Sequence, residues 1–261
     1  MRILDLHPGS HPAASFVGDL RDPHVLASAL ADVQVVFHLA ARAGARRSVD
    51  DAPETVDVNV RGTALLLEAA ERAGVERFVL ASSVAVFGET GTSPARVDRP
   101  RHPVSPYGAS KLGAEGLVSA TAATSELHTA VARLSSVYGP HARDDQSVRR
   151  FVHGLRRGTP LTWFGDGTSL RDYLHVDDAV GALLVAEELA SPEQPAWVHG
   201  ATGQATSVRE LVEHLQRLAG TDAKLDVQHP QPGDPAHALL RPERFEATIP
   251  LAEGLEMLWS A

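Results

Sequence analysis

Phe78-Val79-Leu80-Ala81-Ser82-Ser83 is a run of four apolar residues that stops on two serines. A stretch this short and this apolar reads as a strand buried on both faces, as in parallel sheets. Working outward, Arg2–Leu6 and Val35–Leu39 upstream and Thr129–Leu134 downstream have the same character. The segments between them, Pro23–Leu30, Pro53–Ala73 and Pro106–Ala123, read as helices. In the second, Val56, Val60, Ala64 and Leu67 recur at steps of four, four and three. That spacing makes an apolar stripe along one helix face, most simply packed on a sheet. Strand and helix alternating in this way predict an α/β fold, a doubly wound parallel sheet with helices on both faces.

The pattern changes after Gly139-Pro140. Residues 141–175 mix arginines, glycines and short strands, Val176–Leu189 is helical again, and a further helix at Ser207–Leu218 lies among Pro- and Gly-rich connections. The expectation is a sheet domain of residues 1–134 plus 176–200 and a smaller C-terminal lobe of 135–175 plus 201–261, beside the sheet's carboxyl edge where such folds bind ligands.

Composition narrows the function. The 261 residues are 43% hydrophobic and 22% charged, and no apolar run approaches the length of a membrane span. Twenty-four basic against thirty-three acidic side chains leave a net charge of −9, which opposes non-specific attraction to nucleic acid. Cysteine is absent, so thiolate nucleophiles and Cys-based metal sites are excluded. The opening Met-Arg-Ile-Leu-Asp is not a secretory signal, and a cytoplasmic protein is expected. No HExxH occurs, and His7 and His11, four apart, are separated by Pro8-Gly9, so no metal is expected. His175 is read as ordering a loop, and Arg149-Arg150 and Arg156-Arg157 as a solvated helix face.

Chemistry concentrates in Tyr107-Gly-Ala-Ser-Lys111, at a helix start after Ser105-Pro106. Residues four apart share a helical face, so phenol and ammonium are neighbours. A nearby cation favours phenolate, which predicts a lowered Tyr107 pKa and a proton acceptor near neutrality. Ser83, where the strand ends, is placed to hydrogen-bond a substrate oxygen beside Tyr107. Capping a turn is the plainer role for a serine there.

Several motifs in order carry a resemblance: Gly18-Asp-Leu-Arg-Asp22, Val36-Phe-His-Leu-Ala-Ala41, Asn59-Val-Arg-Gly-Thr63, Ser82–Gly88, Ser105–Lys111, Arg133–Pro140, Phe164-Gly-Asp-Gly, Arg171–Asp178 and Pro232-Gly-Asp234. The chain resembles the extended short-chain dehydrogenase/reductases, in particular the NAD-dependent epimerase/dehydratase group with its UDP-glucose and UDP-glucuronate 4-epimerases. The resemblance implies a Rossmann-like fold, NAD as cofactor, a nucleotide-sugar substrate, a homodimer paired through the helices at 53–73 and 106–123, and epimerisation at C4 through a 4-keto sugar. It makes Tyr107 the base, has Lys111 tune it and hold the nicotinamide ribose, and has Ser83 bind the reacting hydroxyl. Asp5 would bind the adenosine ribose, Asp19 and Leu20 border the adenine, and Leu39, Ala40 and Ala41 line the phosphates and ribose. An acid at position 5 favours NAD over NADP. A sugar dehydrogenase or reductase would use the same residues.

Departures from the family pattern matter as much. Dehydratases of the family carry Asp-Glu directly after the hydroxyl residue. Here Val84-Ala85 stand there and can move no proton. At the substrate side Ser136 and Gln231 occupy places where an Asn and an Arg are usual, while Arg171 is kept. Glutamine at position 231 cannot make the charge-assisted bond to a diphosphate that an arginine would. Most notably, none of the 21 glycines forms GxxGxxG or GxGxxG, the loop that sets backbone N–H groups against a pyrophosphate. If Asp5 ends the family's second strand, its first strand and glycine loop are not in this sequence. Three explanations are open: a truncated, NAD-free relative with Met1–Leu6 in the central position; a natural start upstream of Met1; or residues omitted at a junction between Leu4 and Asp5. A second short stretch lies at Phe245–Glu246. Omission is the expectation, because a parallel sheet without its central strand leaves interior backbone groups unpaired at ~1–3 kcal/mol each.

Overall fold

The computed structural model describes residues 1–8 and 14–260, apart from the side chain of Ala14. Nine helices and thirteen strands are formed by these residues: β1 (Arg2–Asp5), β2 (Ala14–Val17), α1 (Pro23–Leu30), β3 (Val35–His38), α2 (Ala45–Asp50), α3 (Ala52–Val56), α4 (Gly62–Arg72), β4 (Arg77–Ser83), α5 (Pro106–Thr124), β5 (His128–Leu134), β6 (Ser136–Tyr138), α6 (Ser147–Arg157), β7 (Leu161–Phe164), β8 (Leu170–Arg171), β9 (Tyr173–His175), α7 (Val176–Glu188), β10 (Ala196–Gly200), β11 (Thr206–Ser207), α8 (Val208–Ala219), β12 (Leu225–Gln228), β13 (His237–Ala238) and α9 (Leu251–Ser260).

β4 organises the fold because both its faces are buried. It pairs in parallel with β3 and β5, and β10 adds beyond β5, giving the order β10-β5-β4-β3. Phe78 and Leu80 point to one side, into a core with Leu26 and Leu30 of α1, Leu66 and Leu67 of α4, and Ala114 and Val118 of α5. Val79 points to the other, against Ala182, Leu183 and Ala186 of α7. Helices on both faces of a parallel sheet are what the strand–helix alternation predicts.

The sheet is nonetheless in two pieces. β1 and β2 form a separate parallel pair, and β3 is the edge of the four-stranded sheet. The strand runs unbroken through Leu4 and Asp5, which pair with Phe16 and Val17. Insertion of Met1–Leu6 into the central position is therefore corrected. The reason is local packing: Arg2 donates to the Ala29 carbonyl at the end of α1, and Leu4 packs on the core that α1 helps build.

The helix expected over 53–73 is also interrupted. Between α3 and α4 the residues Asp57–Arg61 form a π-helical turn, and the stripe read as core is partly exposed, with Val56 46% accessible. The extra residue in the turn re-aims Asn59 inward, where it is buried.

A second core packs α6, α8 and α9 around Phe151, Trp163, Leu211, Leu215 and Leu255. Short sheets β11-β8-β13, β12-β7 and β6-β9 lead back toward the carboxyl ends of β4 and β5. α8 starts on a reciprocal cap between Ser207 and Glu210 and stops at left-handed Gly220. No described helix is long and apolar enough to cross a membrane.

Candidate active site

The carboxyl end of β4 and the start of α5 meet at one point. Ser105 caps α5 by accepting from the Gly108 N–H at 3.1 Å, and Pro106 occupies the first turn, where no N–H is needed. After Ser83 the chain turns through a single 3₁₀ turn, Val84–Phe87. Gly108 lets the two approach closely: a Cβ there would lie 2.4 Å from the Ala85 carbonyl oxygen.

This approach brings the phenol of Tyr107 close enough to the hydroxyl of Ser83 for Ser83 to act on its acidity. Ser83 also accepts from the Ala85 N–H at 3.2 Å, so its capping and functional roles coexist. Lys111, buried, donates its ammonium to the Ala81 carbonyl at 2.8 Å. The expected lowering of the Tyr107 pKa is corrected. Burial pushes the phenol up, against the opposing pull of Ser83 and of the Arg143 charge, and Lys111 instead has its own pKa pressed to about 8 by burial, with the Glu115 carboxylate resisting. Burying the phenol at the α5 start costs its anion more than the positive charge nearby returns.

Tyr107, Ser136 and Arg171 line one cavity of about 130 Å³, together with Val84, Ala85 and Asp234. Arg171 lines it with its donors engaged: it pairs with Asp234 at 2.7 Å and donates to the Pro235 and Ala236 carbonyls. It thus holds the turn at 231–234 over the site. Gln231 begins that turn, its carbonyl accepting from Asp234 N–H at 3.3 Å, and lies outside the cavity lining.

The residues expected to meet a dinucleotide lie along the ends of β1, β2 and β3. Asp5 is exposed at the tip of β1, and its carbonyl accepts from the Gly18 N–H at 2.9 Å, bringing Asp5 beside Asp19. The Asp19 carboxylate is held by Arg21 at 2.6 Å, which keeps it below the usual carboxylate range. Leu20 is half-buried against Gly62 and the core. Leu39 and Ala40 are exposed and Ala41 half-buried, just past β3. His175 caps α7, accepting from Asp177 N–H, and His11 lies outside the described residues.

Several contributors have no role assigned from the sequence, although Asn59 and His38 lie within the ordered motifs. Asn59 accepts from the Arg42 N–H at 2.7 Å and donates to Ser110 at 2.9 Å, tying the segment after β3 to α5. Its sign in the sequence is a polar residue placed within an apolar helix stripe. His38, buried, bonds Thr63 at 2.9 Å and is held neutral, its pKa pressed to about 3 by burial and by the Lys111 charge. Arg143 acts on the phenol from a loop without a recognisable motif.

These residues fit a nicotinamide dinucleotide at its two ends. An ammonium has three donors, and Lys111 directs one to the Ala81 carbonyl, so donors remain for a ribose. Asp5 offers an exposed carboxylate at a strand end for the other ribose. A glycine loop for the pyrophosphate is not part of this sequence.

Comparison with known proteins agrees. Residues 6–199 match the pattern of the family described as "NAD dependent epimerase/dehydratase family". A UDP-glucuronate 4-epimerase of Thermodesulfobacterium geofontis is 36% identical over 197 residues, 74% of this chain and 59% of the relative. A UDP-glucose 4-epimerase of Mycolicibacterium smegmatis is 36% identical over 234 residues, 85% of this chain and 74% of the relative. The chain thus spans 59% and 74% of the length of these two relatives. Among solved structures, MoeE5 in complex with UDP-glucuronic acid and NAD superposes with a TM-score of 0.91 at 35% identity, covering 97% of this chain and 87% of that one. With its parallel sheet flanked by helices and its serine, tyrosine and lysine at one sheet edge, the chain belongs to the NAD-dependent epimerase/dehydratase family of enzymes.

Proposed function

We propose that the chain is an NAD-dependent nucleotide-sugar 4-epimerase, working through a 4-keto sugar. The observation that carries this is Tyr107, lying beside Ser83, in the wall of a cavity whose neighbouring residues, Val84 and Ala85, are aliphatic. When bound, NAD supplies the hydride acceptor and donor. Ser83 steadies the sugar's C4 oxygen while Tyr107 takes its proton and later returns it. Arg143 and Ser83 oppose the cost of forming the phenolate, and Lys111 offers its remaining donors to the nicotinamide ribose. Val84 and Ala85 supply no acid or base, which argues against the elimination that 4,6-dehydration requires.

Asp5 is proposed to bind the adenosine ribose, with Leu39, Ala40 and Ala41 along the phosphates and Asp19 and Leu20 at the adenine. Ser136 is proposed to face the sugar, and Arg171 to shape the cavity through Asp234. The two-lobe division at about residue 135 and pairing of two copies through the exposed Val56 face of α3 and α5 belong to the same reading. Sedimentation at micromolar concentration tests the dimer: a monomer would overturn it. For the reaction, the purified protein is incubated with NAD and, in separate samples, UDP-glucose and UDP-glucuronate, and products are followed by proton NMR. Interconversion of C4 epimers without NADH build-up supports the reading. Steady NADH accumulation makes it a dehydrogenase, and full activity in Tyr107→Phe removes the tyrosine chemistry altogether.

A further inference from the structure

Ser82 ends an apolar row. Alternate side chains of a strand share a face, and Phe78 and Leu80 of β4 enter the core that α5 helps to build, so Ser82 is the third member of that row. It is buried, and its hydroxyl donates to Oε1 of Glu115 on α5 at 2.6 Å. A buried hydroxyl without such a bond would be costly, and an apolar residue would fill the row more simply.

Glu115 gives the bond a fixed far end. Arg133 of β5, fully buried, grips both its oxygens, Nε to Oε1 and Nη2 to Oε2, each at 2.9 Å. Arg133 also donates to the Val97 carbonyl at 3.1 Å, and its guanidinium lies 4.9 Å from the ring centre of Phe87 and 4.3 Å from that of Trp197. A two-pronged pair enclosed in this way has a defined geometry.

The segment tied to this pair carries Ser83. Ser82 reaches Arg133 through Glu115, and Phe87, which closes the 3₁₀ turn after Ser83, meets the same guanidinium. Residues 82–87 are thus referred to one buried cation from both ends. Glu115 shares a helical face with Lys111 and Tyr107, four and eight residues before it. We propose that Ser82 is a positioning residue: by tying the end of β4 to the Glu115 carboxylate, it fixes how closely Ser83 approaches Tyr107. The contact of Gly108 with the Ala85 carbonyl stops β4 and α5 from coming closer, but nothing in that contact stops them from parting. The Lys111 bond to the Ala81 carbonyl also crosses the junction, yet it ends on a flexible four-carbon stem and sets the spacing less tightly.

The inference rests on the roles given above to Ser83 and Tyr107. One of its two readouts needs no turnover, so its failure is distinct from failure of the epimerase reading. Crystal structures of the native protein and of Ser82→Ala give the separation of Ser83 Oγ and Tyr107 Oη. Ser82→Ala leaves the Glu115–Arg133 pair whole and is expected to fold, with that pair unmoved and the separation lengthened. Ser82→Thr keeps the hydroxyl and is expected to restore it. In assays with NAD and whichever of UDP-glucose and UDP-glucuronate is turned over, kcat of Ser82→Ala should fall by ~10- to ~10²-fold, the range for a displacement of up to ~1 Å, with KM within about twofold. Ser82→Thr should recover most of that loss. A serine of merely structural value would lower the melting temperature and move neither readout. An unchanged separation in Ser82→Ala, or an unchanged kcat, overturns the proposal. A native protein that turns over neither sugar overturns the epimerase reading instead, and the separation alone then decides.

Discussion

The backbone N–H of Tyr107 donates to the hydroxyl of Ser48 at 3.0 Å, so the first turn of α5 is pinned to α2 across 59 residues of sequence. Ser48 is fully buried and its hydroxyl donates a hydrogen bond to the Ala45 carbonyl. An α-helix leaves its first N–H groups without internal partners, and this one is met by a distant side chain. Ser48→Ala leaves that donor buried and unsatisfied, at ~1–3 kcal/mol. Urea unfolding should show a loss of that size, and kcat should fall with little change in KM, because the group that loses its anchor carries the phenol.

Glu115 and Arg133 make a second, larger test of the same junction. Removing one partner of a buried ion pair strands the other charge, typically at ~3–5 kcal/mol, whereas replacing both with apolar residues is often close to neutral. Arg133→Met should therefore be much less stable than Glu115→Leu combined with Arg133→Met. Thermal unfolding of the two variants decides the matter: equal stabilities would mean that the pair contributes through packing alone.

Two buried histidines make the fold acid-sensitive. His38 is pressed from its ordinary 6.5 to about 3 and His199 to about 4, both chiefly by burial. Below pH ~6.5 the unfolded chain takes up protons on these rings that the folded chain refuses, so stability falls as pH drops from about 6.5 toward 4. Above that window the two rings contribute no pH dependence. Melting temperatures between pH 7 and 4.5 should decline, and His38→Asn should decline less steeply. An equal slope in the variant would remove His38 from the account.

Four strands, β1, β3, β4 and β5, and most helices are legible in the sequence because each is a short apolar run or a periodic stripe with a clear stop. Pro23–Leu30 is read to the residue, and β3, β4 and β5 within a residue or so, apart from the serines that extend β4. What escapes such reading depends on distant partners. The π-helical turn at 57–61 is invisible in a pattern of Val56, Val60 and Leu67, since it exists to turn Asn59 toward Arg42 and Ser110. β10 needs β5 beside it to be recognised, and α9 needs the second core. At the site, Ser83, Tyr107 and Lys111 can be named because a helical spacing and a strand end bring them together. The direction of the Tyr107 shift cannot, because burial is set by elements far apart in sequence.

Gly108 offers the sharpest probe of the site's geometry. It follows Tyr107 directly, and a Cβ at this position would sit 2.4 Å from the Ala85 carbonyl oxygen and 3.0 Å from Pro103. The first of these is backbone and cannot swing aside, so Gly108→Ala must push the start of α5 away from the turn that follows Ser83. Overpacking of this kind costs ~1–3 kcal/mol, which leaves a folded protein of ordinary stability. The phenol rides on the displaced segment while Ser83 stays with β4, so the two move apart. A misplacement of ~1 Å can lower a rate by ~10²-fold. The variant should thus keep nucleotide-sugar binding, measured by calorimetry, while its turnover drops by about that factor. Turnover close to that of the native protein would show that the close approach of Ser83 and Tyr107 is not required for the reaction.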